Sequence, residues 1–202
     1  MLLVLSDPGS VQKEALYINQ LFDAGLSVFH LRKPESSVED LTRLLQEINP
    51  EHHPKIALHQ QHGLANEWGI VRLHYNETSR MQMTEEMLTA FKLQNKVLST
   101  SIHDRADYEQ LSSCFDYTFL GPVFDSLSKT NYKAMSPEKR MVAPRKKETK
   151  IIALGGIYAG NCTLPFEWGF DGIALLGALW IDPRFLMDQF KTIQAACATT
   201  VH

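Results

Sequence analysis

VFHLRKPESSVEDLTRLLQEI, residues 28–48, holds one complete strand-then-helix unit. Val28–Leu31 is a short run that is apolar on both faces, as a parallel strand covered by helices requires. A polar loop follows. Ser37 and Asp40 then resemble a capping box, and Val38, Leu41, Leu45 and Ile48 fall on one helical stripe. The neighbouring sequence repeats the unit. Upstream lies the run Leu2–Leu5, with Gly25 placed to stop the intervening helix. Downstream come Ile56–Leu58, Ile70–Leu73, Val97–Ile102, Tyr117–Leu120, Ile151–Leu154 and Gly172–Leu176, each followed by a helical pattern. Asp182 and Pro183 read as the N-cap and first turn of a last helix whose inner face is Leu186, Phe190, Ile193 and Cys197. Ser136–Thr149, with Pro137, Pro144 and many charges, permits only a short helix.

Eight strands alternating with helices in 202 residues, with no linker, predict one α/β domain over residues 1–202, a single (β/α)₈ TIM barrel. A doubly wound open sheet competes, but usually has fewer strands. The composition, 44% hydrophobic and 21% charged with a formal net charge of −3, fits a globular chain and does not favour nucleic acid as a partner. Cys114, Cys162 and Cys197 are odd in number and widely spaced, which suits free thiols in a reducing compartment. MLLVLSD lacks a basic stretch and is too short for a signal peptide, and no apolar run is long enough to span a membrane. A cytoplasmic protein is expected, and a homo-oligomer is compatible with the sequence.

In such a barrel, function lies at the C-terminal ends of the strands. Strand two ends in His30, Arg32 and Lys33, strand three in His59–Gln60, and strand four in Arg72 and His74. Strand five ends in Ser101 and His103, and strand six runs into Ser126, Ser128 and Lys129. Strand seven closes with Gly155–Gly156, and strand eight with Gly177. Arg32, Lys33, Arg72 and Lys129 are fixed cations suited to phosphate or carboxylate, though each could equally be a rim salt-bridge partner. The glycines admit an anion close to backbone N–H groups, and a Gly-Gly after a strand also makes a simple tight turn. Imidazoles at 30, 59, 74 and 103 can move protons near neutral pH. His52, His53 and His62 read as loop surface.

These segments resemble one family. VFHLRKPESSVEDL is similar to the second-strand motif of thiamine phosphate synthases and TenI proteins. STSIH resembles their GxSxH, FDYTFLGPVFDSLSK their DYxxxGPxFxTxTK, KIIALGGI their PVxAIGGI, and GFDGIALLGAL their GxDGxAVxSxx. The matches fall in order over nearly the whole chain. The resemblance implies a barrel acting on small phosphorylated thiazole substrates and, in synthases, a pyrimidine diphosphate. In a synthase, magnesium on two aspartates and a cationic cradle stabilise the leaving pyrophosphate. Some TenI relatives instead aromatise a thiazole carboxylate phosphate by a proton shift, using the histidine of GxSxH. The diphosphate cradle maps onto Arg32, Ser101, Ser126, Ser128 and Lys129, and the thiazole phosphate site onto Gly155, Gly156 and the loop after strand eight.

The chain also departs from the synthase pattern. The glutamine of QxRxK is His30, and that motif's lysine falls on Pro34, with Lys33 one position early. The metal-binding Asn-Asp is His59–Gln60, the second metal aspartate aligns near Glu77, and the strand-eight serine is Gly177. Magnesium prefers hard oxygen ligands with one or two carboxylates, so Gln60 weakens a magnesium site. The HxR at strand two and His103 look TenI-like. The leading expectation is a thiazole phosphate tautomerase that needs no metal, with His103 as acid/base while Lys129 and Arg32 hold the substrate's anionic groups. The alternatives are a magnesium-dependent synthase using Glu77 and a non-catalytic thiazole or thiamine phosphate binder. A histidine-ligated zinc hydrolase is disfavoured, because strand one lacks an HxH pair and strand eight lacks a terminal Asp.

Overall fold

In the computed structural model, residues 1–126, 133–140, 142 and 148–199 are described. Eight parallel strands pair in sequence order, and the last closes on the first. They are β1 (Leu2–Leu5), β2 (Val28–Leu31), β3 (Ile56–Leu58), β4 (Arg72–Tyr75), β5 (Val97–Ile102), β6 (Tyr117–Leu120), β7 (Lys150–Leu154) and β8 (Gly172–Leu175). Leu5 pairs with His30 at one seam, and Leu2 with Ile173 where the barrel closes. The (β/α)₈ barrel expected from the sequence is therefore the fold.

Among the described residues, ten α-helical segments connect the strands. They are α1 (Glu14–Asp23), α2 (Val38–Glu47), α3 (Leu64–Glu67), α4 (Glu77–Arg80), α5 (Glu85–Leu93), α6 (Arg105–Gln110), α7 (Pro137–Arg140), α8 (Leu164–Glu167), α9 (Gly177–Trp180) and α10 (Leu186–Ala198). Local chemistry sets their ends. Ser37 and Asp40 form the reciprocal capping box on α2, while Leu41, Leu45 and Ile48 are buried and Val38, in the first turn, is exposed. Gly25, at φ +93°, turns the chain out of α1 in a conformation that β-carbon sterics deny most residues. Asp182 accepts from the Arg184 N–H at the start of a 3₁₀ turn, Pro183–Phe185, that leads into α10.

Period-two alternation along the strands divides the core. Outward-facing Val4, Phe29, Leu31, Ile56, Leu98, Ile151 and Ile173 pack against the helices in one large cluster. Inward-facing Leu3, Leu5, Val28, Ala57, Tyr117, Phe119, Ile152 and Ala174 form a second cluster that fills the barrel. No helix among the described residues is long and apolar enough to cross a membrane.

Two expectations change. Strand four begins at Arg72, not Ile70. Gly69 closes the turn after α3 at φ +62° and the Ile70 N–H bonds back to the Ala65 carbonyl, while the Val71 carbonyl already accepts from the Val97 N–H and leads into the strand. His52 and His53 are buried, not loop surface. The 3₁₀ turn Pro50–Lys55 tucks His52 against Phe22 and near Asp23, while His53 Nε2 lies 3.1 Å from the Leu45 carbonyl and its ring packs on Trp68. The three cysteines are free, two buried and one half-buried.

Candidate active site at the C-terminal mouth of the barrel

The alternation that turns Val28, Ala57 and Tyr117 into the barrel turns His30, His59, His74, Ser99 and Ser101 inward as well, with His30 beside Ala57 and Ser99 beside Tyr117 in the ladder. His30 Nδ1 lies 2.9 Å from His59 Nε2, and His30 Nε2 lies 2.8 Å from the Tyr117 hydroxyl. The His59 and His74 rings stack, with centroids 3.9 Å apart. His74 is held from both sides, by Ser99 Oγ at 3.0 Å on Nδ1 and Ser101 Oγ at 3.1 Å on Nε2. Burial holds His30 and His59 well below the ordinary imidazole range and takes His74 down to about 3, and neighbouring positive charge adds to the depression. All three imidazoles are therefore neutral at physiological pH, since burial penalises the charged form. Burial likewise pushes the Tyr117 hydroxyl up to about 12.

Ser101 and Phe119 join this cluster to the surface. Phe119 packs on both His30 and His74. With Ser101, Ile102, His103, Gly121, Pro122, Leu154 and Gly155, it also lines a cleft of ≈ 80 Å³. His103 is exposed there, its Nδ1 3.4 Å from the Gly121 carbonyl oxygen. A carbonyl oxygen only accepts, so Nδ1 is the donor in this contact and Nε2 is the ring nitrogen left for the cleft chemistry. Arg32 lies at the end of β2. Ser6 Oγ clamps its backbone, accepting from its N–H and donating to its carbonyl, and its guanidinium is exposed. Its charge reaches both His59 and His74.

The glycines at the end of β7 allow two loops to meet. A β-carbon on Gly155 would lie 2.8 Å from Pro122, and one on Gly156 would lie 2.2 Å from the Asp125 carbonyl. Both residues have positive φ, and the Val123 and Phe124 N–H groups bond to the Leu154 and Gly155 carbonyls. Their small size is thus used in fixing the loop after β6, which forms one wall of the cleft.

The structure gathers His30, His59, His74 and Ser101 into one cluster, and Ser101, His103 and Gly155 into the adjoining cleft. Other residues singled out in the sequence lie elsewhere. Lys33 is buried in an ion pair with Glu14, 2.6 Å away, and also donates to the Gly9 carbonyl. Arg72 opens β4 at the opposite end of the barrel, where it donates to the Pro54 carbonyl and lines a separate hollow with Asp116 and Lys150. Glu77 begins α4 and faces Arg80, 3.9 Å away. Gln60 follows His59, and its buried Nε2 has no hydrogen-bond partner among the described residues. Gly177 starts α9, and Ser126 ends the described part of the loop after β6. Ser128 and Lys129 lie outside the described residues. Sequence reasoning missed Tyr117, Ser99 and Phe119, although strand alternation outward from Ser101 would have turned Ser99 inward.

Among the described residues, the one convergent group of three metal-ligating side chains is His30, His59 and His74. Those donors are imidazoles, and Glu77 is not among them. They do not fit the magnesium implied by the synthase resemblance, which takes oxygen ligands.

Comparison with known proteins agrees with the motifs. A family model described as thiamine monophosphate synthase matches residues 2–179. A thiamine-phosphate synthase of Lysinibacillus sphaericus (strain C3-41) is 23% identical over 179 residues, 84% of this chain and 82% of that protein. One from Koribacter versatilis (strain Ellin345) is 25% identical over 186 residues, 88% of this chain and 84% of its own length. Among solved structures, a thiamine phosphate pyrophosphorylase from Bacteroides thetaiotaomicron superposes with a TM-score of 0.78 at 25% identity, covering 100% of this chain and 98% of that one.

Proposed function

Since the chain belongs to the thiamine monophosphate synthase family, we propose that it is a thiamine-biosynthetic enzyme that carries out a metal-independent proton shift on a thiazole phosphate. The observation that carries this reading is His103. It stands exposed on the rim of a cleft at the barrel mouth, with Nδ1 on a backbone carbonyl, while the cluster beneath it offers imidazoles where magnesium would need carboxylates. His103 Nε2 takes a proton from one position of the thiazole ring system, and the imidazolium so formed returns a proton at another, leaving the ring aromatic with no net change in protons. Arg32 supplies fixed positive charge for the carboxylate or phosphate. Gln60 Nε2, buried and without a hydrogen-bond partner among the described residues, is a donor that a substrate oxygen or ring nitrogen would satisfy. Phe119 and Pro122 give the cleft apolar walls for the ring.

General acid–base groups typically contribute about 10²–10⁴-fold, so His103→Asn is expected to lower kcat on the thiazole tautomer at least about 100-fold with little change in KM. An unaltered kcat in a folded His103→Asn protein would remove the proposed base.

A second reading is condensation of the pyrimidine diphosphate with the thiazole phosphate, favoured by the relatives, which are named as thiamine-phosphate synthases. It predicts magnesium-dependent formation of thiamine phosphate.

A further inference from the structure

Three neutral imidazoles close to one another inside a barrel are more than the proton shift uses. His103 alone carries that step, and no role there requires His30, His59 and His74 together. Each offers one ring nitrogen, and these nitrogens all lie within 4.8 Å of one another. We propose that His30, His59 and His74 form a binding site for a borderline-soft divalent cation of the zinc class, with the fourth position open toward the mouth.

The hydrogen bonds already sort the nitrogens. His30 Nε2 is held by the Tyr117 hydroxyl at 2.8 Å and His74 Nδ1 by Ser99 Oγ at 3.0 Å. These are the outer partners that orient ligating imidazoles and fix their tautomer in metal sites. With protons on those outer nitrogens, His30 Nδ1 and His74 Nε2 carry the lone pairs, and the Ser101 hydroxyl that donates to His74 Nε2 turns away when a cation binds there. The proton between His30 Nδ1 and His59 Nε2 moves to His59 Nδ1 when a cation enters, so His59 Nε2 presents its lone pair as well. Three nitrogen ligands with one position left to water or an anion is a common tetrahedral arrangement for zinc, and all-imidazole donors disfavour magnesium and calcium.

The surroundings fit an ion that keeps an open position. Ser101 is bonded to His74 and also lines the cleft beside His103, so the cluster lies directly under the mouth. Three neutral ligands leave the ion's double charge uncompensated, and the Arg32 charge nearby has the same sign. Together they favour an anionic oxygen as the fourth ligand, from carboxylate, phosphate or hydroxide. This assignment stands apart from the proton shift proposed above, because it concerns residues that shift does not use and is tested by binding rather than turnover.

Chelator-stripped wild-type protein is titrated with Co²⁺ and Zn²⁺, and the zinc-loaded protein is studied by X-ray absorption. The expected result is one ion per chain and a first shell holding three imidazole nitrogens at about 2.0–2.1 Å. His59→Gln is expected to lose more than the roughly 10–100-fold in affinity that removal of an outer partner costs, while His103→Asn titrates like the wild type. Magnesium in about a thousandfold excess leaves the cobalt spectrum unchanged. No bound ion overturns the assignment, as does an oxygen shell with at most one imidazole. Affinity unchanged in both His59→Gln and His74→Gln has the same consequence. The absorption measurement uses the wild type alone, so it decides the matter even if a variant does not fold.

Discussion

Lys33→Met separates two roles that sequence and structure give the same residue. From the sequence, Lys33 is a cation at the end of strand two, available to an anionic substrate. In the fold its side chain is 4% exposed and its ammonium lies 2.6 Å from the Glu14 carboxylate, itself 7% exposed. Removing one partner of a buried ion pair costs roughly 3–5 kcal/mol, because the other charge is left without compensation. The low end applies here. Burial already raises the Glu14 pKa against the opposing pull of Lys33, so the orphaned carboxyl takes up a proton instead of standing charged. A loss of about 3 kcal/mol in a chain of this size lowers Tm by roughly 6–12 °C.

The pH dependence gives a second signature. A carboxyl whose folded pKa lies above its unfolded value favours the folded state below the unfolded pKa, and that contribution is lost as pH rises through the folded pKa. Lys33→Met is therefore expected to regain stability as pH falls from 7 toward 5, relative to the wild type. Glu14→Leu/Lys33→Met is expected to recover most of the loss, since an apolar pair of similar volume can replace a buried ion pair. Circular-dichroism melts at both pH values measure all of this, with KM determined alongside. A Lys33→Met protein with unchanged Tm and a KM raised tenfold or more would show that the lysine serves the substrate and would refute the structural assignment.

Gly156→Ala forces a β-carbon to 2.2 Å from the Asp125 carbonyl at a φ of +64°; a loss of about 3 kcal/mol is expected in urea denaturation, and a loss below about 0.5 kcal/mol would show that the two loops do not need this approach. Arg72→Gln, at the opposite end of the barrel, is expected to leave KM within about twofold of the wild type, and a large rise in KM would bring Arg72 back to the substrate. In metal-free protein the neutral buried histidines make stability fall with acid. The unfolded chain binds protons below about pH 6.5, whereas His74 resists protonation until about pH 3, so about 2 kcal/mol is lost from His74 alone by pH 5. Equal denaturation midpoints at pH 7 and pH 5 would contradict neutral burial.

Most of the eight strands were legible because they are short apolar runs covered on both faces, and the caps at Ser37, Gly25 and Asp182 are encoded within a few residues of where they act. What escaped depended on partners distant in sequence. Lys33 looked free because Glu14, in α1, is brought to it only when the loops after β1 and β2 fold together. His52 and His53 looked solvated because their packing surfaces, Phe22 and Trp68, lie on other segments. At strand four, the chain leaves the turn at Gly69–Ile70 and the strand runs from Arg72 to Tyr75, two residues later than the apolar run suggests, and that shift moved Arg72 from the mouth to the far end. His30, His59, His74, Ser101 and His103 lie in or just after the C-terminal halves of their strands, where the sequence reading puts them. That three of them converge within hydrogen-bond and stacking distance required the closed barrel.

Conversion of the thiazole phosphate tautomer by the purified wild-type protein, followed in chelator and again in magnesium alongside formation of thiamine phosphate, tests the central claim most directly. The account predicts aromatic thiazole phosphate at the same rate in both, with no thiamine phosphate formed. Thiamine phosphate that appears only with magnesium, while the tautomer stays unchanged, would contradict it.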